Sequence, residues 1–379
     1  MTQNTSTLPG HVPVAVIGAG QAGLAVAYHL KHSGLRPGVD FVVLDRDPDA
    51  GGAWQHRWHS LRLDDAHRVS DLPGMRRDLG ISFETAPGDQ PAGEVVSDYY
   101  RRYERFHNLQ VHHRHAVTAV SRVEAADTAE GRYRLDAQTP GGAKTLFADV
   151  VINASGTWGA PNVPYLPGIE RFAGRQLHTQ QYVRADEFAG QRVAIVGGGT
   201  SAIGFVVELH DVARSVHWFT RRPVHFIDQP SLGFEGGRAS VAAQDAAARA
   251  GLPLPSIVST TDVPVTNNMR ALYQRGELVR QPMFSRIDTS GVVLADGSHL
   301  DLDAIIWATG FRPDVAHLQP LGLREPAGGI AVVDGVAQRD PHILLAGYGP
   351  QASTISSARG ARLVARHAID ALARHTSAS

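Results

Sequence analysis

Apolar runs of four to six residues recur along the chain, each followed by a turn of small residues, and the same order of elements appears twice. Val12–Ile17 is unbroken by polar positions and too short for a helix, as a parallel strand buried on both faces requires. A glycine turn follows at once, after which "LAVAYHLKHSG" predicts a helix closed by Gly34, and "FVVLD" predicts a strand ending in Asp45. Near mid-chain the order returns: "RVAIV" as strand, a glycine turn, "AIGFVVEL" as helix and "SVHWFT" as strand. Two more apolar runs, "ADVVIN" and "LDAIIW", stop at Ala154-Ser155-Gly156 and Ala308-Thr309-Gly310, each with proline beyond. "HILLAGYGPQASTISSARGARLVARHAID" closes the chain as strand, glycine loop and helix, with Ser356 or Ser357 as cap.

The glycine turns carry the chemistry. Gly18-Ala19-Gly20-Gln21-Ala22-Gly23 has GxGxxG spacing between strand and helix, with Asp45 22 residues beyond the last glycine. In such a turn Gly18 permits the bend, Gly20 lets the backbone approach a pyrophosphate, Gly23 lets helix meet strand, and Asp45 accepts from ribose hydroxyls. The second turn, Gly197-Gly198-Gly199-Thr200-Ser201-Ala202, keeps the GxGxxA form, but Arg221 and Arg222 stand where an acid is expected. An arginine there favours a 2′-phosphate, hence NADPH, whereas Asp45 suits FAD. Further candidate cofactor contacts are Gln21, Arg46, Val117, Thr200, Thr309, Gly310 and Gly347. The predicted class is α/β, with two Rossmann-like dinucleotide-binding domains, the NADPH domain inserted into the FAD domain. Residues 1–165 and 285–379 form the FAD domain and 166–284 the NADPH domain.

Composition narrows the choice. The 379 residues carry a formal net charge of −1 and no basic block, which gives nucleic-acid binding no electrostatic support. There is no cysteine, so disulfides, thiolate metal sites and cysteine redox relays are excluded. No run of 18 apolar residues and no hydrophobic leader is present, which points to a cytoplasmic protein without a membrane span. The histidines of "VHHRHAV" suit an exposed strand better than a metal site, and "RASVAAQDAAARAG" reads as a surface or lid helix. It lies in 223–270, longer than a dinucleotide unit needs and suited to covering a substrate or contacting a second subunit, a homodimer being one open arrangement.

With both turns placed, "FAGRQLHTQQY" (172–182) resembles the FxGxxxHxxxY fingerprint of class B flavin-dependent monooxygenases: the flavin-containing and YUCCA-like enzymes, related to Baeyer–Villiger monooxygenases. "GGAW" (51–54) and "WATGFRPD" fit the same group, in the same order. The resemblance implies FAD along Gly18, Gly20, Gly23, Asp45, Gly52 and Trp54. It places NADPH on Gly197, Gly199, Ser201, Arg221 and Arg222. His178 and Thr179 belong to the fingerprint, fixing the linker rather than transferring protons. The fingerprint ends in Tyr182-Val183 and not Trp-Pro, which favours heteroatom oxidation. After "GGAW", "SLRLDDAHRVSDLPG" offers Asp64, Asp65 and His67 as candidates to orient substrate or trade a proton, but no asparagine. The implied reaction uses NADPH, O₂ and a flavin C4a-hydroperoxide to oxygenate a nucleophilic nitrogen or sulfur of a small molecule. Baeyer–Villiger oxygenation and a simple NADPH:acceptor reductase stay open. A flavin-binding sensor without turnover needs only one cofactor turn, and a disulfide reductase needs cysteines.

Overall fold

The computed structural model describes residues 8–66, 69–123, 131–227, 233–255, 263–352 and 357–376, with backbone alone for 233–238, 357–359 and 375–376. Two sheets organise these residues, each built on one glycine turn. In the first, His11–Ile17 lies between Phe41–Leu44 and Gly142–Asn153, parallel to both, and Ile343–Leu345 continues the parallel order. Val14, Val16, Val43 and Ile152 are fully buried, as are Ala15 and Val151 on the opposite face. Burial on both faces is why these strands read as unbroken apolar runs. The helices Gln21–His32 and Ser357–Thr376 cover one face together, with Leu24, Val364 and Ala365 in one core cluster.

The second sheet is wholly parallel, in the order Arg280–Pro282, Ser215–Thr220, Arg192–Val196, Ala304–Trp307, Arg175–His178. Ala304–Trp307 is interior to it, so the chain returns to the first domain beyond Gly310 and not at residue 285 as the sequence suggested. The physical reason lies in residues 286–301. They form a three-stranded antiparallel sheet whose Ile287 and Val292 pack with Ala194, Phe219 and Ile305 of the second sheet. The two chain crossings pair with each other: Asn162 N–H donates to Gly310 O (2.9 Å), Arg312 N–H to Ala160 O (2.8 Å) and Asp314 N–H to Gly156 O (2.9 Å).

Two other expectations change. The alanine-rich helix, Gly233–Arg249, does not stand free: Ala248 is buried in a cluster with Val315, Leu318 and Ile330 of the first domain. "VHHRHAV" is two strands, Val111–His112 and Ala116–Arg122, with His112 buried where an exposed strand was expected. His113 lies 3.0 Å from Glu104, and no metal-capable cluster occurs among the described residues. No helix among them is long and apolar enough to cross a membrane.

Candidate functional site

Both turns are floored in the same way. A Cβ at Gly18 would lie 2.4 Å from the Ala154 carbonyl oxygen, and one at Gly197 would lie 2.1 Å from that of Ala308. Each small-residue turn noted in the sequence therefore forms the floor beneath one glycine turn. Gly23 is demanded by packing, since its Cβ would fall 1.9 Å from the Gly18 oxygen. Gly20 differs: its Cβ would meet only the Gly52 Cα, at 4.0 Å. No atom of the protein requires glycine there, which is the geometry of a backbone kept bare for something outside the chain.

Around this cradle, the buried Asp45 carboxylate accepts from the N–H groups of Ala19 and Asp47, and burial raises its pKa above the ordinary range. His115 N–H donates to the Asp45 carbonyl (2.7 Å), which brings the Val117 strand to the same edge. Arg46 is committed to Asp314 (2.6 Å), Gln21 donates to the Ser70 carbonyl (3.3 Å), and Gly347 lies against Ala22. At the second turn Arg221 and Arg222 are exposed and have no carboxylate partner among the described residues. The Thr309 hydroxyl donates to the Asn162 carbonyl, tying the crossing ribbon.

Between the domains opens a cleft walled by Trp54, Trp58 and Asp65 on one side and Thr200, Ser201 and Glu208 on the other. Glu208 accepts from Trp58 Nε1–H (2.6 Å), the Ser60 hydroxyl (2.9 Å) and the Tyr182 hydroxyl (2.9 Å). The fingerprint tyrosine thus acts through a carboxylate that sequence reasoning missed, because nothing local marks one glutamate on an apolar helix. Burial raises the Glu208 pKa above the ordinary 4.5, against those three donors. A carboxyl with a raised folded-state pKa stabilises fully in acid, and that contribution is lost as pH rises through its folded value. We expect Glu208→Gln to flatten this loss in a series of melting curves against pH, and curves parallel to wild type would refute it. Glu208→Ala strands the buried Trp58 and Tyr182 donors, each costing about 1–3 kcal/mol, and should melt lower at every pH.

Asp65 faces the cleft and accepts weakly from Asn268 N–H (3.4 Å). Asn268, from the far side of the sequence, lines the same cleft. Asp64 is exposed, its carboxyl against Gly88 and outside the cleft lining, and His67 lies outside the described residues. His178 is buried and donates from Nε2 to the Gly310 carbonyl (2.9 Å); burial lowers its pKa and keeps it neutral. Its ring meets Phe311 edge-on at 4.8 Å, Phe311 stacks on Trp158 at 4.8 Å, and Trp158 on His56 at 6.2 Å. This ladder runs through both chain crossings.

Two glycine-turn domains that together wall one cleft define an oxidoreductase of the two-domain nucleotide-dependent class. Residues 15–233 match the family model for pyridine nucleotide-disulphide oxidoreductases, and the chain belongs to that family, among its flavin-dependent monooxygenases. The flavin-containing monooxygenase of Stenotrophomonas maltophilia is 32% identical, with a TM-score of 0.76 over 96% of this chain and 99% of that one. The oxidoreductase CzcO of Bacillus velezensis is 26% identical over 85% of this chain and 89% of its own length. A Baeyer–Villiger monooxygenase of Streptomyces coelicolor is 32% identical, but the match spans 60% of this chain and 41% of that protein.

Proposed function

We propose that this protein is an FAD- and NADPH-dependent monooxygenase that transfers one atom of O₂ to a nucleophilic nitrogen or sulfur of a small organic molecule. The observation that carries this reading is the pair of cradles of opposite character, acid-marked at Asp45 and arginine-marked at Arg221 and Arg222, on the two domains that wall one cleft. The residues fit the cofactors: the bare backbone at Gly20 suits a pyrophosphate, and the exposed arginines suit a 2′-phosphate. When bound, FAD supplies oxygen activation and NADPH the reducing equivalents.

The chain's own part is binding, orientation and exclusion of water. Gly18, Gly20, Gly23 and Asp45 hold FAD; Gly197, Gly199, Thr200, Ser201 and the two arginines hold NADPH. Trp54 and Trp58, 7% and 5% exposed, wall the cleft against solvent. Asp65 is the acid placed to orient a substrate, since burial raises its pKa and Asn268 N–H meets its carboxylate. No group in this arrangement has to act as a covalent nucleophile. The protein works in the cytoplasm on a small-molecule substrate and O₂.

The test is to reduce the flavin-loaded protein with NADPH under argon, admit oxygen, and follow the flavin spectrum in a stopped-flow cell. A transient distinct from both oxidised and reduced flavin, consumed by added amine or sulfide, is expected. Direct return to the oxidised spectrum with stoichiometric H₂O₂, unaltered by any such substrate, would make the protein an NADPH:acceptor reductase.

A further inference from the structure

Arg57 is the one cleft cation whose charge the fold leaves unanswered among the described residues. Its guanidinium carbon lies 4.3 Å from the Trp158 ring centroid and 5.5 Å from that of Trp54. Its Nε is buried without an acceptor, and no carboxylate among the described residues pairs with its side chain. Other arginines that bridge distant segments are paired: Arg46 with Asp314, Arg122 with Asp340 and Arg192 with Asp303. Burial brings the Arg57 pKa down to about 10, so the group is a cation at neutral pH.

Stacking on an indole occupies the face of a guanidinium and leaves its edge donors pointing outward in the plane. The carboxylates beside Arg57 do not answer it. Glu208 takes three neutral donors, and Asp65 takes the Asn268 N–H. On the opposite wall Thr200 and Ser201 begin a ten-residue helix, whose first N–H groups also ask for negative charge. The first-domain guanidinium and the second-domain helix end therefore make the same demand on one cleft.

We propose that Arg57 is an oxyanion-binding residue, closing from the first domain on a negatively charged group in the interdomain cleft. Two ligands bring that chemistry: the pyrophosphate of the dinucleotide at the second turn, or a carboxylate on the molecule to be oxygenated. The inference rests on the proposed function for the identity of either ligand, and on the geometry alone for the oxyanion chemistry.

The experiment is calorimetric titration of the flavin-loaded protein with NADP⁺, inorganic pyrophosphate and benzoate, in wild type, Arg57→Met and Arg57→Lys. Arg57→Met keeps the stem over Trp158 and removes the charge; its affinity for at least one probe should fall tenfold or more, with Arg57→Lys in between. Loss for NADP⁺ and pyrophosphate assigns the dinucleotide, and loss for benzoate alone assigns a substrate carboxylate. Because an unpaired buried cation costs stability, Arg57→Met should melt no lower than wild type. Unchanged affinities with a lowered melting temperature would overturn the proposal and leave Arg57 a packing residue. Should wild type bind pyrophosphate or benzoate but not NADP⁺, the NADPH assignment fails while the Arg57 reading is still decided by the two smaller probes.

Discussion

Gly20→Ala is expected to give a folded but colourless protein, whereas Gly23→Ala is expected to lose both flavin and stability. The two glycines sit three residues apart in one turn, yet the protein asks different things of them. A methyl at Gly23 would lie 1.9 Å from the Gly18 carbonyl oxygen, a backbone atom with nowhere to move. The helix must then lift from the strand, at about 1–3 kcal/mol or more for overpacking. A methyl at Gly20 meets nothing nearer than 4.0 Å, so the apoprotein should melt within a degree or two of wild type. The ratio of visible to ultraviolet absorbance after purification, with apoprotein melting, separates the two variants. A yellow Gly20→Ala protein would show that the first turn does not hold a pyrophosphate.

Replacing Arg221 and Arg222 together by alanine should raise the KM for NADPH by about two orders of magnitude, at roughly 1.5–3 kcal/mol per charge-assisted hydrogen bond lost. NADH lacks the 2′-phosphate, so its KM should move by less than about twofold. Both arginines are exposed and far from any carboxylate partner among the described residues, so no internal ion pair is broken and stability should hold. Equal weakening of both coenzymes would mean that the arginines act on something other than the 2′-phosphate. Steady-state kinetics at constant ionic strength is the measurement, because salt screens exposed charges.

Both glycine turns, the acid at 45 and the arginines at 221 and 222 were legible because each is a local pattern: strand, turn, helix, strand within some thirty residues. The domain boundary was not. Residues 286–301 pack on the second sheet because the strand that follows them pairs with strands a hundred residues away, such as Ala304 with Val193. A clue was nevertheless present. "ADVVINASG" and "LDAIIWATG" share one plan, and the strand leading to Ala154 lies beside the first glycine-turn strand. The strand leading to Ala308 therefore belonged beside the second. The cleft was the least legible part. Arg57, Glu208 and Asn268 come from three distant segments, and their importance lies in partners gained or denied on folding. Asp64 and Asp65 looked alike as neighbours, yet one turns to Gly88 and the other to the cleft.

The paired crossings carry a consequence for how the chain matures on the ribosome. The second domain enters after Gly156 and leaves at Gly310, and these ends are stitched side by side by backbone hydrogen bonds. That domain is a loop of contiguous chain, and all five strands of its sheet are present once Ala304–Trp307 has emerged. The first domain is split: the strand Ile343–Leu345 and the helix Ser357–Thr376 that complete its core are synthesised last. Domains fold as units as soon as their parts are available. The order of birth is thus inverted relative to the order of sequence, with the sheet of the inserted module complete first and its host closing around the FAD cradle only once Ser357–Thr376 has emerged. Ribosome-bound chains halted at increasing lengths should resist protease over the strands of 175–220 before they resist it over 11–44.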